Sequence, residues 1–265
     1  MNFSEDQIQR YSRHIILQEV GGVGQERLLN AKVLVIGAGG LGSSLIQYMS
    51  AAGVGTIGVV DDDIVDLTNL QRQVIHNTER IGWLKTESAK FAISLINPDI
   101  KVVTHSFRLE QTNALDLIKN YDIVADGSDN FSTRFLVNDA CFFAKKTLVS
   151  AMILRFEGQL ATFKVGDSCY RCFCGDTTNF LYNDIPSCGQ AGVFGAMAGI
   201  VGSLQATEVL KEILKIGDSL SGNLLVIDAL KMNIRKVRLK QDKECKLCGK
   251  NASIHDLSIH PVCQD

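Results

Sequence analysis

The first half of the sequence alternates short apolar runs with longer helical patterns, and this alternation restricts the fold more than any other feature. The runs typical of buried strands are Lys32–Ile36, Thr56–Val60, Lys101–Thr104 and Ile123–Ala125. The helical patterns that separate or follow them are Leu41–Ala52, Leu84–Ile96, Thr112–Lys119 and Phe131–Ala144. Parallel strands that are buried on both faces have such continuous β-branched runs, and helical crossovers join them. The pattern therefore predicts an α/β protein with a Rossmann-like, doubly wound, mostly parallel sheet.

The second half predicts an antiparallel extension of this sheet. Leu148–Leu154 and Gln159–Val165 are typical of an antiparallel pair with a turn at Glu157-Gly158. Leu224–Asp228 and Ile234–Leu239 would close the sheet.

An uncharged stretch from Ile185 to Thr207 raises the question of a membrane span. Its continuous apolar part is about 14 residues, whereas a helix needs roughly 20 to cross a bilayer. Glycines recur every three or four positions within it, at Gly192, Gly195, Gly199 and Gly202. This spacing places them on one helical face, so we expect a core or interface helix that packs closely on the sheet or on a second subunit.

The N-terminal region predicts a helical arm over residues 1–30. Ser4-Glu5-Asp6-Gln7 has the form of a capping box, and the Gly21–Gly24 run should break the first helix before a second one begins near Gln25. The N-terminus is acidic and has no apolar core, so we expect no secretory signal, a cytoplasmic protein and reduced cysteines. The 27 basic and 29 acidic side chains give a net charge of −2, which favours neither nucleic acid nor membranes as partners.

A glycine pattern lies directly between the first strand and the helix that follows it. In Gly37-Ala38-Gly39-Gly40-Leu41-Gly42, the four glycines have the spacing of a turn that brings a phosphate to a helix N-terminus. Asp61 ends the second strand 24 residues after Gly37, the position of an acid that binds ribose hydroxyl groups. A tight turn without a ligand is the alternative.

Charged residues after the second and fourth strands indicate which nucleotide would bind. A nicotinamide cofactor needs few cations beyond the glycine turn, whereas the anionic oxygens of a nucleoside triphosphate need arginine and lysine. Arg72 and Lys85 therefore favour a triphosphate, with solvated surface charges as the alternative for each. Asp129 should face the same crevice, where a carboxylate would hold Mg²⁺ or cap the next helix.

Four of the eight cysteines form two C-x-x-C pairs, Cys169 with Cys172 and Cys245 with Cys248. Two such pairs supply four thiolates to a tetrahedral zinc ion with no open position, which makes the metal structural rather than catalytic. Cys174 is an alternative member of the first pair. Cys188 precedes the predicted glycine-rich helix, where it would be either a stabilised, nucleophilic thiolate or an inert buried residue.

Together these motifs resemble one family. The residues that carry the resemblance are Arg10–Leu17, Gly37–Gly42, Asp61–Asp63, Asn69–Gln73, Lys85, Asp126–Asn130 and the two cysteine pairs. Their types and order resemble the HesA/MoeB/ThiF family of ubiquitin-activating-enzyme-like adenylyltransferases, over residues 5–249. The resemblance implies one adenylation domain over residues 1–249, with a zinc knuckle formed by 169–172 and 245–248, and a tail over residues 250–265.

The resemblance also implies roles for individual residues. Those that would bind Mg·ATP are Gly37, Gly39, Gly40, Gly42, Asp61, Thr68, Asn69, Leu70, Gln71, Arg72, Lys85, Asp129 and Asn130. Asp61 would hold the ribose, Arg72 and Lys85 would contact phosphates, and Asp129 would bind the Mg²⁺ ion. Arg13 would reach into the neighbouring subunit's site of a homodimer. The zinc ligands would be Cys169, Cys172, Cys245 and Cys248, and Cys188 would act in sulfur transfer.

The implied reaction is the activation of a small carrier protein. A ubiquitin-fold sulfur carrier, MoaD-like or ThiS-like and ending in Gly-Gly, would attack the α-phosphorus of ATP with its C-terminal carboxylate. The resulting acyl-adenylate would receive sulfur for molybdopterin or thiamin biosynthesis, two pathways that the sequence does not distinguish. No rhodanese-like domain follows residue 265, so we expect the sulfur donor, such as a cysteine desulfurase, to be another protein.

Three other functions compete with this one. An NAD-dependent oxidoreductase would use the same glycine turn but would leave Arg72 and Lys85 without a task. A relative that activates a tRNA carboxyl group is disfavoured by the net charge of −2. A non-catalytic partner subunit is disfavoured by the presence of Arg13, Arg72, Lys85 and Asp129 together.

Overall fold

The computed structural model describes residues 3–175 and 191–261. One mixed sheet runs through these residues. Its strands are β1 (Lys32–Ile36), β2 (Thr56–Val60), β3 (Lys101–His105), β4 (Ile123–Asp126), β5 (Thr147–Leu154), β6 (Glu157–Phe163), β7 (Asn223–Asp228) and β8 (Asn233–Arg238). Their order is β3-β2-β1-β4-β5-β6-β7-β8. The first five strands of this order pair in parallel, and the last three continue the sheet in antiparallel fashion. The predicted fold class is confirmed.

Helices cover both faces of this sheet. They are α1 (Glu5–Ile15), α2 (Gly21–Asn30), α3 (Gly40–Ala52), α4 (Lys85–Ile96), α5 (Ala114–Lys119), α6 (Phe131–Ala144), α7 (Tyr170–Cys174) and α8 (Gly195–Leu214). Val33 and Val35 of β1 belong to the core that contains side chains of α3 and α8, whereas Leu34 and Ile36 belong to the core of α5 and α6. Because successive residues enter opposite cores, β1 is buried on both faces, which explains its continuous apolar run.

The turn between β5 and β6 lies at Arg155-Phe156, and the predicted turn at Glu157-Gly158 is wrong. Arg155 adopts a left-handed backbone with a φ of 53°. Gly158 lies inside β6, where a Cβ atom would come within 2.4 Å of Val201 on α8. Gly158 therefore allows α8 to pack closely on β6, and the chain reverses direction before this residue.

The N-terminal arm contains one confirmed and one wrong prediction. The capping box is present, since the Ser4 hydroxyl accepts a hydrogen bond from the Gln7 amide and the Gln7 side chain accepts one from the Ser4 amide. The glycine run does not separate two helices, because α2 itself begins at Gly21. A Cβ atom on Gly24 would lie 3.0 Å from the Leu214 side chain, so this glycine allows α2 to approach the end of α8.

Helix α8 contains most of the described part of the uncharged stretch. Met197 and Val201 are fully buried, which confirms the prediction of a buried helix. A Cβ atom on Gly202 would lie 2.5 Å from the Leu41 carbonyl oxygen, so α8 packs against the backbone of α3. Gly192 precedes the helix, and its predicted place on the same helical face is wrong. Over residues 3–175 and 191–261, no helix has the length and apolar character required to traverse a bilayer.

Candidate active site and metal centre

A cavity lies at the carboxyl ends of the central strands, where the strand order reverses between β1 and β4. Doubly wound proteins bind ligands at this place because the loops from the two neighbouring strands diverge there. The predicted site residues that line the cavity are Gly37, Gly39, Gly40, Asp61, Arg72, Lys85 and Asp129. Residues from distant parts of the chain thus meet around the glycine turn.

The glycine turn depends on glycine at two positions, Gly37 and Gly42. Gly37 has a φ of 90°, in the left-handed region that glycine tolerates. Gly39 and Gly40 face the cavity at the start of α3. Gly42 lies outside the cavity lining, and a Cβ atom there would be only 2.0 Å from the Gly37 carbonyl oxygen. Its role is to let the first turn of α3 close against the glycine turn.

Asp61 is bonded to the glycine turn. Its Oδ2 atom accepts a hydrogen bond from the Ala38 amide at 2.7 Å, and its Oδ1 atom accepts one from the Asp63 amide at 3.0 Å. Burial raises the pKa of this carboxyl group, while the positive charge of Lys85 and the two amide donors oppose that effect. The carboxylate therefore joins the end of β2 to the turn at the cavity wall.

Lys85 is the first residue of α4, and its side chain is only 7% exposed. The alternative of a solvated surface lysine is therefore wrong. Its ammonium group lies 2.7 Å from Oδ2 of Asp63, whose side chain is 68% exposed. Asp63 belongs to the Asp61–Asp63 stretch but has no predicted role of its own. An anion that enters the cavity would compete with Asp63 for this buried cation.

Arg72 reaches the cavity from a turn shaped by its neighbours. Its guanidinium group donates a hydrogen bond to the Thr68 carbonyl at 3.1 Å. Asp66 and Asn69 form a capping box around the 3₁₀ turn that precedes it. Gln71 lies against Gly195, where a Cβ atom would be 2.3 Å from the Gln71 carbonyl oxygen. Thr68, Asn69, Leu70 and Gln71 lie outside the cavity lining, in the segment that carries Arg72 to it.

Asp129 and Asn130 have separate positions after β4. Asp129 is exposed and lines the cavity. Asn130 is the N-cap of α6, because its Oδ1 atom accepts a hydrogen bond from the Thr133 amide at 2.8 Å. The cap considered for Asp129 is thus provided by its neighbour, and the Asp129 carboxylate stays at the cavity.

The cavity lining also includes Arg134 and Gln73, neither of which has a predicted role. Arg134 is buried, donates a hydrogen bond to the Ser150 hydroxyl at 3.2 Å and lies 3.5 Å from Asp126. Gln73 is 3% exposed, and its Oε1 atom has no hydrogen-bond partner among the described residues. The available signal for Arg134 was a positively charged residue in the helical pattern that directly follows the fourth strand.

Arg13 lies far from the cavity of its own chain. It is exposed on α1. The neighbouring Tyr11 accepts a hydrogen bond from Asn97, the C-cap of α4, and a Cβ atom on Gly53 at the end of α3 would touch the same tyrosine. Since α3 and α4 begin at the cavity, α1 packs against their opposite ends. Arg13 would therefore reach such a cavity only in another subunit.

The four cysteines of the predicted knuckle form one cluster. Their sulfur atoms all lie within 4.8 Å of one another, with separations of 3.3 Å for Cys172–Cys248 and 3.6 Å for Cys169–Cys245. A tetrahedral zinc ion with bonds of about 2.3 Å requires sulfur atoms about 3.8 Å apart, so the cluster fits the metal. Cys174 is outside the cluster, which resolves the register of the first pair.

The segment after Gly249, in which the sequence shows no pattern, packs on the body of the protein as far as it is described. Ile254 joins the apolar cluster around the knuckle. His260 lies 2.8 Å from the buried carboxylate of Asp139, which also accepts hydrogen bonds from the Arg171 guanidinium, the closest at 2.7 Å. These contacts fix the knuckle and the tail to α6. Cys188 lies outside the described residues.

A known protein family matches most of this chain. The model of the ThiF family matches residues 11–247, which include the cavity and three of the four cysteines of the cluster and end one residue before the fourth, Cys248. This chain belongs to the ThiF family.

Relatives of this ThiF-family chain match almost all of it. A sulfur carrier protein adenylyltransferase of Thermus thermophilus is 43% identical, over 97% of the chain and 96% of the relative. A SAMP-activating enzyme E1 of Haloferax volcanii is 42% identical, over 99% and 97%. A probable adenylyltransferase/sulfurtransferase MoeZ of Mycobacterium tuberculosis is 47% identical over 90% of the chain, which spans 62% of the length of MoeZ.

Solved structures share the ThiF-family fold. A crystal structure of Escherichia coli MccB has a TM-score of 0.80 at 24% identity, covering 94% of this chain and 75% of MccB. A second MccB structure, with ATP, has a TM-score of 0.77 at 25% identity, covering 91% and 74%.

Proposed function

We propose that this protein is an ATP-dependent adenylyltransferase that activates the C-terminal carboxylate of a ubiquitin-fold sulfur carrier. The proposal rests on one observation above all: Arg72, Lys85 and Asp129 surround the glycine turn in a chain of the ThiF family. The name of the Thermus relative, a sulfur carrier protein adenylyltransferase, supports this reaction. The MccB structure with ATP supports the choice of nucleotide.

The proposed reaction depends on alignment and charge neutralisation. A carboxylate oxygen of the carrier's last glycine attacks the α-phosphorus of ATP, and the bond to pyrophosphate breaks. The carboxylate is already a nucleophile, so alignment matters more than the removal of a proton. Negative charge grows on the leaving pyrophosphate, and Arg72 and Lys85 would neutralise it.

We assign the nucleotide to the cavity by the chemistry of its lining. The amide groups of Gly39 and Gly40 at the start of α3 would bind phosphate oxygens, and Asp61 would bind the ribose. Asp129 would hold Mg²⁺, which supplies positive charge to the triphosphate. Some predicted site residues would act only by shaping the backbone around the cavity, namely Thr68, Asn69, Leu70, Gln71 and Asn130. Gly42 would act by allowing α3 to approach the glycine turn closely.

The open face of the antiparallel strands is the proposed place for the carrier. Met152, Gln159 and Val226 stand next to one another across β5, β6 and β7, and all three are half-buried. Met152 also lines the cavity. A protein seated on this face could therefore extend its Gly-Gly tail along the sheet to the α-phosphorus.

We further propose a homodimer in which Arg13 completes the neighbouring subunit's site. Arg13→Ala and Asp129→Ala should each be inactive alone, whereas purified mixed dimers should recover about half of the wild-type activity, since one of the two sites in each mixed dimer has both residues. Separately tagged subunits would allow purification of the mixed dimers. Mixed dimers without recovered activity would contradict a role for Arg13 across the interface.

The cysteine cluster would hold a structural zinc ion, since its four ligands leave no open position. The persulfide of a sulfur donor such as a cysteine desulfurase would then attack the acyl-adenylate and displace AMP, which gives an acyl disulfide between carrier and donor. A thiol would reduce this disulfide, releasing the carrier as a thiocarboxylate and becoming oxidised to a disulfide itself. The part of Cys188 in that step stays a prediction.

The alternatives have less support. None of the comparisons favours an NAD-dependent oxidoreductase, and hydride transfer would give no task to Arg72 or to the buried Lys85. A family member that activates a tRNA carboxyl group would use the same cavity, so it differs from the proposal only in the acceptor.

The proposal is tested by ATP–pyrophosphate exchange in the presence of separate carriers. Exchange should require a ubiquitin-fold protein that ends in Gly-Gly, and the faster of a MoaD-like and a ThiS-like carrier would identify the pathway. Carriers without the last glycine are the control. Exchange that ignores both carriers but responds to tRNA would replace the proposal with the tRNA alternative.

A further inference from the structure

His76 lies behind the glycine turn, in a position that the proposed reaction leaves without a task. Its side chain is buried, at 5% exposure, and it does not line the cavity. Its Nε2 atom is 2.9 Å from the carbonyl oxygen of Ala38, in the middle of the glycine turn. Its Nδ1 atom is 2.7 Å from the Ser88 hydroxyl on α4. One imidazole ring therefore joins the turn to the helix that begins with Lys85.

The two partners determine the tautomer of this ring. A carbonyl oxygen only accepts hydrogen bonds, so Nε2 must carry the hydrogen. Burial lowers the pKa of His76 to about 4, so the ring is neutral near pH 7 and Nδ1 has a lone pair. Ser88 consequently donates its hydroxyl hydrogen to Nδ1. The ring is held by one bond on each side and donates in a fixed direction.

The hydrogen bond from His76 orients the peptide unit between Ala38 and Gly39. The C=O and N–H groups of a trans peptide point in opposite directions. With the Ala38 carbonyl directed toward buried His76, the Gly39 amide is directed away from it, on the side where Gly39 lines the cavity. The preceding amide, that of Ala38, is held by Asp61 at 2.7 Å. The peptide groups on both sides of Ala38 are therefore fixed.

We propose that His76 is a positioning residue, which aims the Gly39 amide at the phosphates of the bound nucleotide through its hydrogen bond to the Ala38 carbonyl. This inference rests on the proposed function, because it requires a phosphate in the cavity. Its energetic basis is that an amide fixed in advance loses less entropy when it binds an anion.

The test compares the binding of ATP with that of adenosine, which lacks phosphates, by calorimetry. His76→Leu removes the donor, and we expect it to weaken ATP binding about tenfold or more while adenosine binding stays within twofold. His76→Gln keeps an N–H donor on a long side chain and should recover part of the loss. The matched control is Asn97→Leu, because Asn97 is also fully buried and donates to one carbonyl, that of Ser50, and one hydroxyl, that of Tyr11.

Each outcome has a distinct meaning. Selective loss of ATP binding in His76→Leu, with partial recovery in His76→Gln and an unchanged ratio in Asn97→Leu, supports the inference. Equal weakening of ATP and adenosine overturns it, because His76 would then only stabilise the fold. Unchanged ATP binding in His76→Leu also overturns it. Failure of the wild-type protein to bind ATP would contradict the proposed function itself, and the positioning role with it.

Discussion

Replacing Arg72 by alanine should lower the rate of ATP–pyrophosphate exchange by about 10³-fold or more, because arginine side chains that neutralise a transferring phosphoryl group have effects of this size. The aliphatic part of the Arg72 side chain lies against the glycine turn, where a Cβ atom on Gly40 would be 3.5 Å from its Cγ atom. Asp129→Ala should cause a loss of similar size. Its cause differs, since the carboxylate would bind Mg²⁺, so raised magnesium should restore part of the activity only in the Asp129 variant.

Lys119→Ala is the control for these two variants. Lys119 is an exposed cation on α5, paired with Asp116 and absent from the cavity lining. The Lys119→Ala variant should catalyse ATP–pyrophosphate exchange at the wild-type rate. Circular dichroism and melting curves should show that all three variants are folded. Wild-type exchange in folded Arg72→Ala or Asp129→Ala would remove the role assigned to that residue.

Loss of the proposed zinc ion should cause the largest fall in stability. Replacing Cys245 by serine should lower the melting temperature by about 10 °C or more, since structural zinc sites contribute directly to the free energy of folding. The cluster joins the segment around Cys245 to α7, and α7 is fixed to α6 by the ion pair of Arg171 with Asp139. Chelation of the wild-type protein should release zinc and give a similar fall.

Cys174→Ser is the matched control for the cysteine cluster. This thiol is close in sequence to the first pair but outside the cluster, so its replacement should leave the zinc content unchanged. A wild-type preparation that contains no zinc and melts at the same temperature as the zinc-loaded protein would refute the structural metal.

The strands of the parallel half could be predicted closely because one local property defines them. The bounds of β1 and β2 agree with the runs Lys32–Ile36 and Thr56–Val60, since the last four positions of each strand are buried and none of them has a polar side chain. The turn before β6 could not be predicted in the same way. Glycine is common in turns, but the glycine at position 158 is explained by the close contact of β6 with Val201, a residue distant in the sequence.

The candidate site shows the same division between local and distant causes. Arg72, Lys85 and Asp129 could be selected because they follow strands whose ends meet at one edge of the sheet. The burial of Lys85 and its pairing with Asp63 could not be predicted, because both depend on how α4 packs. The position of His76 behind the glycine turn could not be predicted either. Its ring bonds to the backbone carbonyl of Ala38, and a backbone carbonyl has no signature in the sequence.

The most direct test of the central claim is the mass of a Gly-Gly-ending carrier after incubation with this protein and Mg·ATP, measured without a sulfur donor. The account predicts a carrier that is heavier by one adenylyl group, together with release of pyrophosphate, and no such product from a carrier shortened by its last glycine. An unmodified carrier in the presence of folded protein, or binding in the cavity of NAD but not of ATP, would contradict it.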